Sequence, residues 1–216
     1  MTNTKIIFGG IVAIAAIIAS PILAEAITGL DSTSITTTTE YNIEFTTNGP
    51  VATDGSDFGG FAIFTTGGDV IAVTSHKGVY DSEGQAYPNK NKTFDVCSNG
   101  NISEGYCDAA WHAHIVQPVE HPACAIAAVG SLTYEEPGSV NITGNVVSVD
   151  GVPIGTTEYI NSITGASTSF TVGSTPVLPN PVSGSVDGGV GFPLVGVFDG
   201  KFKDKDLVAV CIGLPA

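Results

Sequence analysis

The segment Phe61-Ala-Ile-Phe64-Thr65-Thr-Gly-Gly-Asp69-Val70-Ile-Ala-Val73 decides the fold class. Two apolar runs flank a short polar stretch in which Gly67-Gly68 can supply the positive φ of a tight turn, so the segment reads as a β-hairpin. Similar signals recur on both sides of it. Tyr41, Ile43 and Phe45 alternate with polar neighbours, the period of a half-buried strand. Further apolar runs follow at Trp111–Val116, Cys124–Val129, Ser139–Ile142, Val146–Val152, Phe170 with Val172, and Asp206–Leu214. Asp150-Gly151, set between apolar residues, gives a second hairpin signal. Strands at this spacing predict an all-β, antiparallel sandwich or barrel of about eight strands. Two long connections are expected. One is the Asn-, Lys-, Ser- and Gly-rich stretch from Gly78 to Gly105; the other contains Pro176, Pro179, Pro181 and the glycines between Gly184 and Gly191.

Composition agrees with that class and removes several functions. The chain has 216 residues, 43% hydrophobic and 13% charged, enough apolar side chain for one compact core. Its 27 Gly and 12 Pro favour short strands and turns. The 21 acids face only 7 basic residues, all Lys, for a formal charge of −14. That charge opposes binding to a phosphate backbone or an anionic membrane surface, so nucleic-acid binding is excluded as an expectation. The absence of Arg also removes bidentate clamps for phosphate or carboxylate substrates.

The N-terminus reads as a secretory leader over residues 1–26. Lys5 precedes the apolar run Ile6–Ala19, and Ser20-Pro21 leads into Ala24-Glu25-Ala26, with cleavage expected after Ala26. The competing reading is a retained membrane anchor, because the run approaches the lower limit for spanning a bilayer. After cleavage no second apolar run is long enough to span a bilayer, and the protein is expected to be secreted or held at the cell surface. Residues 27–40 form a Thr-rich segment, either a stalk or an edge strand, and 41–216 form one β domain. Export suits the four cysteines, Cys97, Cys107, Cys124 and Cys211, whose even number favours two disulfides. Three pairings are open. Cys97 and Cys107 bracket a turn-rich loop, which favours 97 with 107 and leaves 124 with 211. Asn91, Asn101 and Asn141 each begin an N-glycan acceptor triplet.

Chemistry concentrates in one place. Of four histidines, His112, His114 and His121 fall within ten residues, and His76 ends the strand begun at Val70. On a strand, Trp111, Ala113 and Ile115 share one face, apolar enough to be the core face, while His112, His114 and Val116 share the other. Two imidazoles at i, i+2 on a rigid strand are a chelating arrangement for a transition metal, and imidazole suits copper or zinc. Copper is the first expectation and zinc the second. His121, beyond the Gln117-Pro118 break, is expected to fold back as a third nitrogen, with His76 as a candidate fourth. The competing reading makes these residues exposed polar groups or hydrogen-bonding partners of Asp108 and Glu120. Met1 is the only methionine, so the mature chain has no axial thioether for a blue-copper centre. Neither His-Glu-x-x-His nor Gly-x-Ser-x-Gly occurs.

His112-Ala113-His114, then Cys124, then Cys211 near the carboxyl end resembles the order in secreted Cu/Zn superoxide dismutases. The resemblance covers about fifteen residues at two places. It implies a Greek-key sandwich, His112 and His114 as copper ligands, and a Cys124–Cys211 bridge. No His follows His121, so the family's bridging and zinc ligands have no counterparts here.

Three functional classes follow. The leading one is an exported copper-binding protein acting in metal capture, storage or redox. The second is a structural or adhesive surface module without a metal, its acidic exterior serving solubility. The third is a hydrolytic enzyme resting on His76, Asp81 and Glu83.

Overall fold

The computed structural model describes residues 22–26, 29–53, 58–76, 111–179, 190–199 and 207–216. Among them are fourteen strands and no helix, more strands than the eight or so expected. In the N-terminal half these are β1 (Ile22–Ala26), β2 (Leu30–Thr37), β3 (Glu40–Thr47), β4 (Phe58–Thr65), β5 (Val70–His76) and β6 (His112–Val119). The middle contributes β7 (Ala127–Leu132), β8 (Ser139–Thr143), β9 (Val146–Pro153), β10 (Gly155–Ile160) and β11 (Ser167–Val172). The last are β12 (Pro176–Val177), β13 (Gly191–Asp199) and β14 (Leu207–Ile212). Every named pairing is antiparallel.

The hairpin at residues 61–73 forms as its sequence implies, with Phe64 opposite Val70. Only Gly68 takes the positive φ, +95°. Gly67 is needed for a different reason: a Cβ there would lie 2.2 Å from the Thr171 carbonyl oxygen. From this hairpin a closed barrel of six strands grows, in the order β4, β5, β6, β7, β14, β13 and back to β4. Closure leaves no free edge along the ring and turns one face of each strand inward. Phe64, Val70, Ala72, Val116, Phe192, Leu194 and Ile212 fill the interior.

A second sheet, in the order β2-β3-β9-β8, packs on the outside of β4, β5 and β6. Tyr41, Ile43 and Phe45 of β3 and Val147, Val149 and Val152 of β9 meet Phe61, Ile71, Val73, Trp111 and Ile115 there. Phe61 lies between Phe45 and Trp111, at centroid distances of 5.4 and 6.3 Å. The Trp111 indole N–H donates to the Ala52 carbonyl at 2.7 Å, so this large ring is buried with its polar group paired. The third sheet is the β10–β11 hairpin, whose Phe170 and Val172 close the same core.

Asp150-Gly151 is not a turn. Both residues lie within β9, where the pairing with β3 shifts between Tyr41 and Asn42. Gly151, at φ +78°, takes up the extra residue as a bulge, and its N–H donates to the Asn42 side-chain oxygen at 3.1 Å. The positive φ read from the sequence is present, but it bends a strand. The turn after β8 uses Gly144 instead, at φ +64°.

Leu30–Thr37 is the edge strand of the second sheet, and Ile22–Ala26 pairs with Val195–Asp199 of β13. A disulfide joins Cys124 to Cys211 across 87 residues, with Cα atoms 5.3 Å apart. Cys97 and Cys107, the expected excursion from Gly78 to Gly105, and the sequons at Asn91 and Asn101 lie outside the described residues.

Candidate metal site in the barrel

β6 alternates as strand geometry demands. Trp111, Ala113 and Ile115 enter the core beneath the second sheet, while His112, His114 and Val116 turn the other way. The face opposite the core was expected to carry imidazoles clear of the packing, but that face is the barrel interior and is buried as well. His112 and His114 are each 1% exposed. Burial on both faces follows from closure: β13 and β14, distant in sequence, complete a wall that β6 alone does not announce.

The two rings lie side by side, centroids 4.7 Å apart and planes at 86°. The registered partners across β5 are Thr74 for His112 and Ala72 for His114. On the other side β7 reaches only Leu132, opposite Val116, so the pair stands at the end of the barrel where β5 finishes and β6 begins.

Thr133 anchors this end. Its N–H donates to the Ile115 carbonyl at 3.0 Å, its hydroxyl accepts the Ile115 N–H at 3.2 Å, and its carbonyl lies 2.8 Å from His114 Nδ1. A carbonyl only accepts, so His114 carries a proton on Nδ1. Metal-ligating histidines characteristically donate their other ring N–H to such an oxygen, which sets ring orientation and raises ligand basicity. With metal–nitrogen bonds of about 2.0–2.1 Å, two imidazoles bound at 90–110° to one ion have centroids about 4.5–5 Å apart. The observed separation falls in that range. Nothing in the sequence flagged Thr133, nineteen residues from its histidine partner.

His121 is not brought to the pair. β6 continues through Pro118 to Val119, absorbing the missing N–H as a register shift between Gln117 and Pro118. From His114 to Val119 an extended strand runs roughly 16 Å, so His121 lies beyond the far end. There it is half-buried, its Nδ1 accepts the Ala123 N–H at 3.2 Å, and its carbonyl accepts the Cys124 N–H at 3.0 Å. It shapes the turn into the disulfide. His76 is the last residue of β5, two beyond the partner of His112, and pairs in register with Phe58.

Among the described residues no group of three or more His, Cys, Asp or Glu is gathered for a metal. Asp81, Glu83 and Asp108 lie outside the described residues, and Glu120 is exposed beside His121. Asn141 is exposed on β8, with Val140 and Ile142 packed against the core on the opposite face. No described helix is long and apolar enough to cross a membrane. No family model, curated protein or solved structure matches the chain.

Proposed function

We propose that the chain is an exported protein that holds one transition-metal ion, copper in first place and zinc in second, on His112 and His114, in metal capture, storage or a redox role outside the cytoplasm. The observation that carries this reading is the adjacent pair of buried imidazoles, one donating its Nδ1–H to the Thr133 carbonyl. His76 is the candidate for a third nitrogen through its position on β5. His121 is left out of the site. The Greek-key connection, the second bridge Cys97–Cys107 and the likeness to the secreted dismutases belong to this proposal.

The test is metal analysis of protein purified without a His tag, followed by the His112→Asn/His114→Asn double variant. Near-stoichiometric copper or zinc that the variant loses supports the reading. No metal, and an unchanged melting temperature on adding copper, removes it. A ligand bound only to the folded state, at 100 times its dissociation constant, stabilises by about 2.7 kcal/mol.

A second reading, a structural or adhesive surface module, is favoured by one observation: both imidazoles are buried, and no third His, Cys, Asp or Glu is gathered with them among the described residues. In that case the pair is a packed polar contact, and the double variant loses stability without losing any ion.

A further inference from the structure

Independently of the histidines, and resting only on the export in the reading above, we infer that Asn141 carries an N-linked oligosaccharide and that this sugar keeps two copies of the chain from joining along β8. Asn141-Ile142-Thr143 is the one acceptor triplet that falls within the described residues. Alternation along β8 packs Val140 and Ile142 against the core, whereas Ser139, Asn141 and Thr143 are exposed on the outer face. The amide and the hydroxyl of the triplet therefore share the solvent side, and a bulky hydrophilic group fits there without disturbing the packing beneath. The residues in register with Asn141 across the sheet are Ser148 of β9 and then Glu44 of β3, both polar.

The covalent step needs one co-reactant, an oligosaccharide carried on a lipid phosphate and presented by a transferase of the exporting cell. The side-chain nitrogen of Asn141 forms a bond to the anomeric carbon of that sugar. The bond from this carbon to the phosphate oxygen breaks, the lipid phosphate leaves with the electron pair, and the amide gives up one proton. No oxidant or reductant enters.

The role of the sugar follows from the place of β8 in its sheet. In the order β2-β3-β9-β8 it is an outer strand, and among the described residues no strand continues the sheet beyond it. Edge strands are protected by charge, proline or a bulge. The other outer strand, β2, has two of these, the exposed Asp31 and a register shift between Leu30 and Ser32. β8 reads Ser-Val-Asn-Ile-Thr, with no charge and no proline, and pairs with β9 without a shift. Such a segment is a template for another strand. Asn141 is its middle residue, so a two-fold antiparallel pairing of β8 with β8 of a second copy sets Asn141 opposite Asn141 on one face. Their Cβ atoms would then lie about 4.5–5.5 Å apart, too close for two oligosaccharides to pass.

The experiment uses the full chain with its own N-terminus, made in a host whose secretory pathway transfers N-glycans. Peptide mapping by mass spectrometry of the exported wild-type protein is expected to find most of Asn141 carrying a glycan, and analytical ultracentrifugation to find a monomer. Asn141→Gln removes the acceptor and Thr143→Ala removes the triplet while leaving the asparagine. Both are expected to associate, the sedimentation mass rising with concentration toward twice that of the monomer. Asn141→Lys also lacks the sugar but stays monomeric, because two Lys set opposite each other repel. Circular dichroism checks the fold of each variant, and the mapping of the wild-type protein needs none of them. Exported protein with a bare Asn141 overturns this inference and leaves export standing; protein kept inside the cell with a bare Asn141 overturns both. Asn141→Gln and Thr143→Ala proteins that stay monomeric, or Asn141→Lys protein that associates as they do, overturn the role given to the sugar.

Discussion

Thr133 binds β6 through its amide, its hydroxyl and its carbonyl, and the three are separable by substitution. Thr133→Val keeps the shape and the backbone bonds but leaves the buried Ile115 N–H without its hydroxyl acceptor. A loss of about 1–3 kcal/mol is expected in urea unfolding. Under the metal-binding proposal, loading should survive, because the carbonyl beside His114 Nδ1 remains. Asp69 offers a different test. Burial raises its carboxyl above the ordinary carboxylate range, and the Thr171 N–H it accepts works against that rise. A folded-state value above the unfolded one means that the associated stabilisation is present in acid and lost as pH rises through the folded value. Asp69→Asn keeps an acceptor for Thr171 and removes the charge. Wild-type stability should therefore fall relative to the Asn variant as pH is raised from below about 4 toward neutrality, the unperturbed Asp value being about 3.9. A difference that stays flat with pH would refute the assignment.

Strands read from the chain were correct where the signal was local. The β4–β5 turn is settled by Gly67-Gly68 and its apolar flanks, and β3, β8, β11 and β14 lie where alternation or apolar runs place them. Where a choice depended on distant partners, the sequence was silent. Asp150-Gly151 provides a positive φ that serves a turn or a bulge equally, and only the register of β3 against β9 selects the bulge. Gly151→Ala, forced into the left-handed region, should cost about 1–2 kcal/mol. Pro118 has the look of a strand end, yet a register shift lets β6 pass through it and carry His121 away from the pair. The parity that puts His112 and His114 together was legible from i, i+2 spacing. Their burial was not, because that face of β6 turns inward only when β13 and β14, some eighty residues or more later in the chain, close the barrel. Of the two alternatives left for the Thr-rich segment, stalk or edge strand, β2 takes the second, and the sequence alone did not name β3 as its partner.

Electrostatics act on the molecule as a unit. All seven Lys lie outside the described residues, so the acids on the described surface have no described cation among them. Self-repulsion at a formal charge of −14 weakens the compact state and is screened by salt. The thermal midpoint is expected to rise between 0.01 and 0.3 M ionic strength, concentrations over which the Debye length shrinks from about 30 Å to well under 10 Å. A falling midpoint would show attractive pairs to dominate. The Cys124–Cys211 link closes most of the chain beyond β6 into a loop, and in the chain-entropy model one of this length contributes about 4–5 kcal/mol. Cys124→Ser/Cys211→Ser should lose an amount of that order in urea unfolding. The same link decides how the chain responds to being stretched. Pulled by its two termini, the oxidised protein passes tension from residue 211 straight to residue 124, so the stretch between them, a sequence separation of 87, stays slack while the N-terminal strands unravel. A single-molecule trace would then end about 300 Å short of the reduced chain's contour. A domain held outside a cell by its ends would keep more than a third of its length shielded from shear.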